Sequence, residues 1–336
     1  MGFIKTSLTL ALGVFIFVSC NRNNSKPFKV AEIEKSENVD IKIKRFENAL
    51  FQIKPSELNA GLKKIQKEFR FFLNADLNDT INTVQMYSFI SDPLIQDLYK
   101  DVSKKYFDLS IEEKELSSAF SFFKHYFPSK LSPQIFSYVS GLAYENPIKY
   151  NDTSMAIALD CYFGKNSKYY NELKIPVFIS MRMQRSFISI DCMKNVVWSL
   201  LPDISPESSF IERMIYDGKV LYFLDAVLPE KEDTLKIGYT FSQMDWCNRN
   251  QGNVWAYIID NQLLYTTDFK TINMFFGERP FTSIFTNKSP ARLGSWIGWQ
   301  LIRAYMQKNK DITLAQLLEH NDPQQILNKS GYHPKK

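Results

Sequence analysis

Histidine is scarce in this chain of 336 residues: His125, His320 and His333 are all it holds. That bounds the chemistry. A zinc helix of the HExxH kind needs two imidazoles one turn apart on one face, and the sequence offers no such pair. It also lacks a GxSxG elbow, a P-loop and a Rossmann glycine pattern. A serine or cysteine nucleophile would need a base. His125 is the one histidine well inside the body of the chain, in the aromatic run Phe122-Phe123-Lys124-His125-Tyr126-Phe127, where it reads as structural. Acidic residues are plentiful, so hydrolysis through carboxylates such as Glu207, Glu212 or Asp217 stands as an alternative.

The cysteine with the clearest chemistry is Cys20. Lys5 and the amino terminus make a short positive region, and the chain is then almost wholly apolar from Leu8 to Val18. That run is too short to span a bilayer and has the length of a secretory signal core. It ends in Phe17-Val18-Ser19-Cys20, which resembles the lipobox of bacterial lipoproteins. A small side chain precedes the cut, and the thiol after it is free to take a diacylglyceryl group. The polar stretch Asn21 to Lys26 suits a flexible tether. The expected division is residues 1–19 as signal peptide, 20–38 as lipidated tether and 39–336 as a single globular domain. Which envelope membrane holds the anchor stays open. Cys161, Cys192 and Cys247 have no CxxC partner and read as small buried residues; one disulfide among them stays open, with no pair named.

The elements that must carry any site are read from periodicity. Lys+Arg 41 against Asp+Glu 36 gives +5 without a block of like charge, which argues for a solvated surface and against nucleic acid as partner. Twenty-seven Phe and seventeen Tyr allow a sizeable core. Val39 to Phe46 alternates as a half-buried strand. Helices are expected from Ser56, from Asp92-Pro93 and from the Ser110-Ile111-Glu112-Glu113 capping-box pattern. Pro133 to Val139 and Met155 to Leu159 read as strands, with breaks at Gly141 and Asn146-Pro147. Ser205-Pro206, Ser289-Pro290 and Asp322-Pro323 repeat a cap followed by proline at the first helical position. The fold class is therefore α+β, mostly helical, with a small antiparallel sheet between helical halves.

Several blocks are similar to one family. These are Leu159 to Lys165, Met214 to Tyr222, Ile237 to Thr240 and Ser289 to Gln300, in that order behind the anchor. They resemble the gliding-motility lipoprotein GldB family of Bacteroidota. The resemblance implies an envelope lipoprotein required for gliding, linked to the type IX secretion apparatus. A second, fainter resemblance joins Asp217 to Phe223 and Gly294 to Gln300 to gluzincin-type zinc peptidases. It implies a zincin-like scaffold whose zinc helix would fall within Phe187 to Leu201, a stretch without histidine. The expectation is thus a pseudo-peptidase with no metal, no cofactor and no catalytic residue. It would be anchored to the membrane through lipid on Cys20, facing the periplasm, and act by binding other gliding and secretion proteins of the envelope. By position in the resembling block, the candidate cleft residues are Asp217, Lys219 and Tyr222. Gly218, Gly294 and Gly298 read first as sites of close helix packing.

Overall fold

The extended segment after the tether divides its hydrogen bonds between two partners. The computed structural model describes residues 38–334, so the signal segment, Cys20 and the tether up to residue 37 lie outside the described residues. From Val39 the chain runs along the helix Ser110–Tyr126. The N–H groups of Val39, Ile41 and Ile43 donate to Ser121 Oγ, Ser117 Oγ and Glu113 Oε1 at 2.9–3.0 Å. Strand pairing is confined to Ile43–Arg45, β1. The pattern at Ser110 does mark a helix start, but its carboxylates serve other segments. Asp108 accepts from the Ser110 N–H, Glu113 holds the entering strand, and Glu112 pairs with Arg185.

β2 (Gln134–Tyr138) and β4 (Ser154–Ala158) fall where the apolar runs predict them. β3 (Ile148–Asn151) completes a hairpin with β4 that the sequence reading missed. Asn151 Oδ1 makes that turn by accepting from the N–H groups of Thr153 (3.0 Å) and Ser154 (2.8 Å), an Asx-type device. The sheet order is β1-β2-β4-β3. The expected antiparallel sheet is therefore mixed: β1 pairs parallel with β2 and β2 with β4, while β3 pairs antiparallel with β4. Alternation identifies strands but not their direction. The helical block between β1 and β2 is long enough to return the chain in the same sense.

Both faces of the sheet are covered. Ile135, Met155 and Ile157 join the main core, whereas Phe136 and Ala156 face a smaller cluster with Phe46, Leu50, Leu62 and Phe69. Burial on two faces is what makes β4 read as a continuous apolar run. The main core is organised by two long helices, Phe210–Val227 (the central helix) and Leu293–Lys308 (the companion helix). Neither starts at its Ser-Pro dipeptide. The central helix begins after Ser209, in a capping box with Glu212, and Arg213 Nη2 folds back onto the Ser205 and Pro206 carbonyls. Ser289 is buried and donates to the Thr282 and Thr286 carbonyls, and the companion helix starts later, at Leu293. Asp92-Pro93 and Asp322-Pro323 cap as expected, each aspartate accepting from N–H groups of the first turn. Cys161, Cys192 and Cys247 are buried free thiols. Among the described residues, no helix is long and apolar enough to cross a membrane.

Candidate functional site

A cavity of about 350 Å³ opens between the helix Ile188–Leu200, the central helix and the start of the companion helix. Its size lies near the lower end for ligand pockets, about 300–1,000 Å³. The floor comes from helical spacing. Asp191, Lys194, Asn195 and Trp198 line it from Ile188–Leu200 at steps of three and four, one face of a helix. Asp217, Val220 and Leu221 do the same from the central helix. Ser295, in the first turn of the companion helix, and Arg292 just before it complete that side. Arg182 and Glu278 close another.

The charged groups are unevenly satisfied. Arg182 makes a two-pronged pair with Glu278, at 2.9 and 2.7 Å. The Tyr162 hydroxyl donates to Asp191 Oδ2 at 3.0 Å, and Ser295 Oγ donates to Asp217. Lys194 meets Asp191 at 3.7 Å, too long for a good hydrogen bond. Arg292 donates through Nη2 to the Ile237 carbonyl at 2.6 Å, but its buried Nε has no hydrogen-bond partner among the described residues, with Glu278 standing off at 3.7 Å. Arg292 also adopts φ 55°, a left-handed conformation that non-glycine residues rarely take. Gly238, at φ 76°, lets both arginines close in. A Cβ there would lie 2.6 Å from Arg182 Cδ and 3.3 Å from Arg292 Nη2.

Burial shapes the protonation of this cluster. It pushes Asp191 and Asp217 above the usual carboxylate range despite their hydroxyl donors and nearby cations. It pushes the Lys194 ammonium down, against the pull of Asp191. Glu278 is the opposite case: burial alone would raise it, but Arg292 and Arg182 together hold it low.

Of the three residues placed here by position in the sequence, Asp217 lines the cavity and the other two do not. Lys219 is buried on another side of the central helix. Its ammonium donates to the carbonyls of Leu318 (3.1 Å) and His320 (2.6 Å), at the C-terminal end of the helix Leu314–Glu319. That is a cap on a helix end, where positive charge is favoured. Tyr222 is buried within the main core. Glu207 and Glu212 are exposed, and Glu212 is engaged by the Ser209 cap. Sequence reasoning missed Asp191, Lys194, Arg182, Glu278 and Arg292. The first two carry a signal, a polar stripe on an otherwise apolar helix. The rest carry none.

Lys219 gives a pH test of this placement. Burial lowers it from 10.5 to about 8. The folded state thus disfavours its proton, and the penalty is relieved as pH rises from 8 towards 10.5, where only the unfolded chain still binds that proton. The stability difference between the native protein and Lys219→Met should therefore shift in favour of the native protein over that window. Denaturant midpoints measured in steps of pH check this, and a flat difference would place the ammonium in water.

A wider groove of about 780 Å³ lies elsewhere, lined by Lys104, Lys105, Lys165 and Lys168. These lysines are solvent-exposed, although burial still pushes Lys105 down. Among the described residues, no group of three or more His, Cys, Asp and Glu side chains is placed to hold a metal ion.

The family comparison covers nearly the whole chain. The profile described as gliding motility protein GldB matches residues 26–334, and the chain belongs to that family. No curated relative and no solved structure matches it.

Proposed function

We propose that this GldB-family lipoprotein serves the gliding and type IX secretion machinery as a non-catalytic binding protein. Lipid on Cys20 holds it on an envelope membrane, and the cavity beside Asp217 receives a partner. Family membership supports the coarse assignment, a gliding-motility lipoprotein associated with the cell envelope. The cavity's donor set carries the finer one. Where the peptidase resemblance puts a zinc helix, Ile188–Leu200 presents Asp191 and Asn195 one turn apart, with Lys194 beside them. A divalent cation there would find Asp191, Asp217 and Glu278 but no imidazole, and would be opposed by Lys194, Arg182 and Arg292. Such a wall suits recognition of a charged partner better than activation of water.

A second reading has one observation in its favour. Asp191 and Asp217 share the cavity and both titrate high, as an acid catalyst would. An envelope hydrolase acting on peptide or glycan would then lose turnover in Asp217→Asn while still binding substrate.

Two sets of variants in a gliding host test the main proposal. Cys20→Ala should move the protein out of the membrane fraction and abolish lipid labelling; a membrane-bound, lipid-labelled variant would refute the anchor. Lys194→Met and Asp217→Asn should stay anchored at normal abundance yet stop colony spreading. Normal spreading with both cavity variants would remove the cavity from the function.

A further inference from the structure

Two cations that line the cavity have hydrogen-bonding capacity left over: Lys194 beyond a long ion pair, and Arg292 beyond the bond from its Nη2 to the Ile237 carbonyl. Lys194 is 15% exposed and its nearest anion is Asp191 at 3.7 Å. Arg292 is 16% exposed, its Nε is buried without a hydrogen-bond partner, and Glu278 stands 3.7 Å away, already chelated by Arg182. A buried guanidinium N–H left unpaired is expensive, so a native structure that keeps one calls for an explanation. Arg292 keeps it while held in a left-handed conformation, which itself costs strain. The two aspartates nearby do not fill the gap. Each is satisfied by a neutral hydroxyl, Asp191 by Tyr162 and Asp217 by Ser295.

The unmet need is for an oxygen anion. Ammonium and guanidinium converging on one space match a carboxylate, which accepts on both oxygens. The lining beside these donors includes apolar side chains: Ile148, Val220 and Leu221 are buried, and Trp198, 47% exposed, stands at the cavity. A free amino acid or acetate would use the cations and leave the apolar part of the lining unused. A chain end with an apolar last residue would use both.

We propose that the cavity captures the C-terminal carboxylate of a polypeptide, gripped by Lys194 and Arg292, with its last side chain against Val220, Leu221 and Trp198. This rests on the reading of the cavity as a binding site and names what binds there. The partner is thus an envelope polypeptide that presents a free, apolar chain end.

The test uses the full-length lipoprotein in detergent micelles and isothermal titration. The probes are N-acetyl-alanyl-leucine, its C-terminal amide and inorganic phosphate. The acid should bind roughly tenfold or more tightly than the amide, since the amide withdraws the charge from two desolvated donors. Lys194→Met and Lys194→Gln should each reduce the acid to the level of the amide. Lys104→Met, outside the cavity, should leave binding unchanged. Thermal melts of the Lys194 variants separate loss of a ligand contact from loss of the fold; they should stay cooperative, with midpoints near that of the native protein. Equal affinity for acid and amide, or no acid binding at millimolar concentration, overturns the proposal. Phosphate binding as tightly as the acid overturns the choice of carboxylate. The two levels fail separately. Lost spreading in Lys194→Met with equal acid and amide binding keeps the binding role and discards the chain-end ligand. Acid-selective binding with normal spreading does the reverse.

Discussion

Gly298→Ala should destabilise the domain by about 3 kcal/mol or more, at the upper end of what overpacking costs. A Cβ at position 298 would lie 1.8 Å from the Met214 carbonyl oxygen and 2.7 Å from its carbon. Reciprocally, a Cβ at Gly218 would lie 2.4 Å from the Gly298 oxygen. These are backbone atoms of the central and companion helices, so no rotamer change relieves the clash. The helices themselves must part. Between them they carry Trp296, Trp299, Phe223 and Tyr305, all almost fully buried, and parting loosens every contact along the seam. Gly61→Ala is the control. Its Cβ would meet the half-buried Ile53 side chain at 2.4 Å, so a side chain rather than a helix backbone must shift. Alanine also favours the helix Leu58–Ile65 by about 0.8–1 kcal/mol over glycine. Gly61→Ala should therefore lower the denaturant midpoint much less than Gly298→Ala, which lowers it sharply or prevents folding. Equal, small effects of the two would mean that the helix seam is not as close as described.

The glycine seam was legible because one local signal implies one geometry. Gly218 and Gly298 meet across the two helices, where small residues let backbones approach, while Gly294, a turn before Gly298, makes room for the Phe276 ring. Other local signals failed because a competing partner existed. Asp92-Pro93 and Ser205-Pro206 look alike as dipeptides, yet the first caps a helix and the second does not. The difference lies downstream: Ser209 and Glu212 form a reciprocal cap, and Arg213 turns the Ser205 segment back on itself. Ser289-Pro290 is lost for another reason, since its hydroxyl is already engaged by two carbonyls inside the fold. The hairpin strand β3 was missed because Lys149 and Tyr150 break its apolar run, and the turn chemistry of Asn151 went unread. The site divides along the same line. Asp217 could be reached through a resembling block, and Asp191 and Lys194 through a polar stripe on one helix. Arg182 and Glu278 pair across 96 residues, and Arg292 depends on a backbone conformation set by its surroundings. Nothing local announces such partners. Lys219 misled because adjacency in sequence puts Asp217 and Lys219 on different sides of a helix.

Asp225→Asn should cost about 3–5 kcal/mol, because it leaves buried cations without their counter-charge. Asp225 is 2% exposed and accepts from four directions: Arg303 Nε (2.7 Å) and Nη2 (2.8 Å), Lys236 Nζ (2.9 Å) and the Trp299 indole N–H (2.9 Å). The Arg303 guanidinium also lies 3.8 Å from the centre of the Trp299 ring, so its position is fixed on two sides. Burial alone would push Arg303 down, and Asp225 with Asp233 outweighs it. This network ties the central helix to the companion helix and to the helix Asp233–Ile237, whose Lys236 lines the cavity. Its loss should be felt at both ends, as a lower unfolding midpoint and a weaker grip on any cavity ligand. The size of the effect separates two accounts. If the pairing matters as charge compensation, converting Asp225, Lys236 and Arg303 together to Leu, Met and Met should recover most of the stability that Asp225→Asn loses, since no ion is then left buried alone. If Asp233, which already accepts from Arg303 Nη1 at 2.8 Å, takes over both cations, Asp225→Asn should cost less than about 1 kcal/mol and the triple variant should be the worse of the two. Chemical denaturation of the two variants beside the native protein decides between these outcomes, and the 2% exposure of Asp225 favours the first.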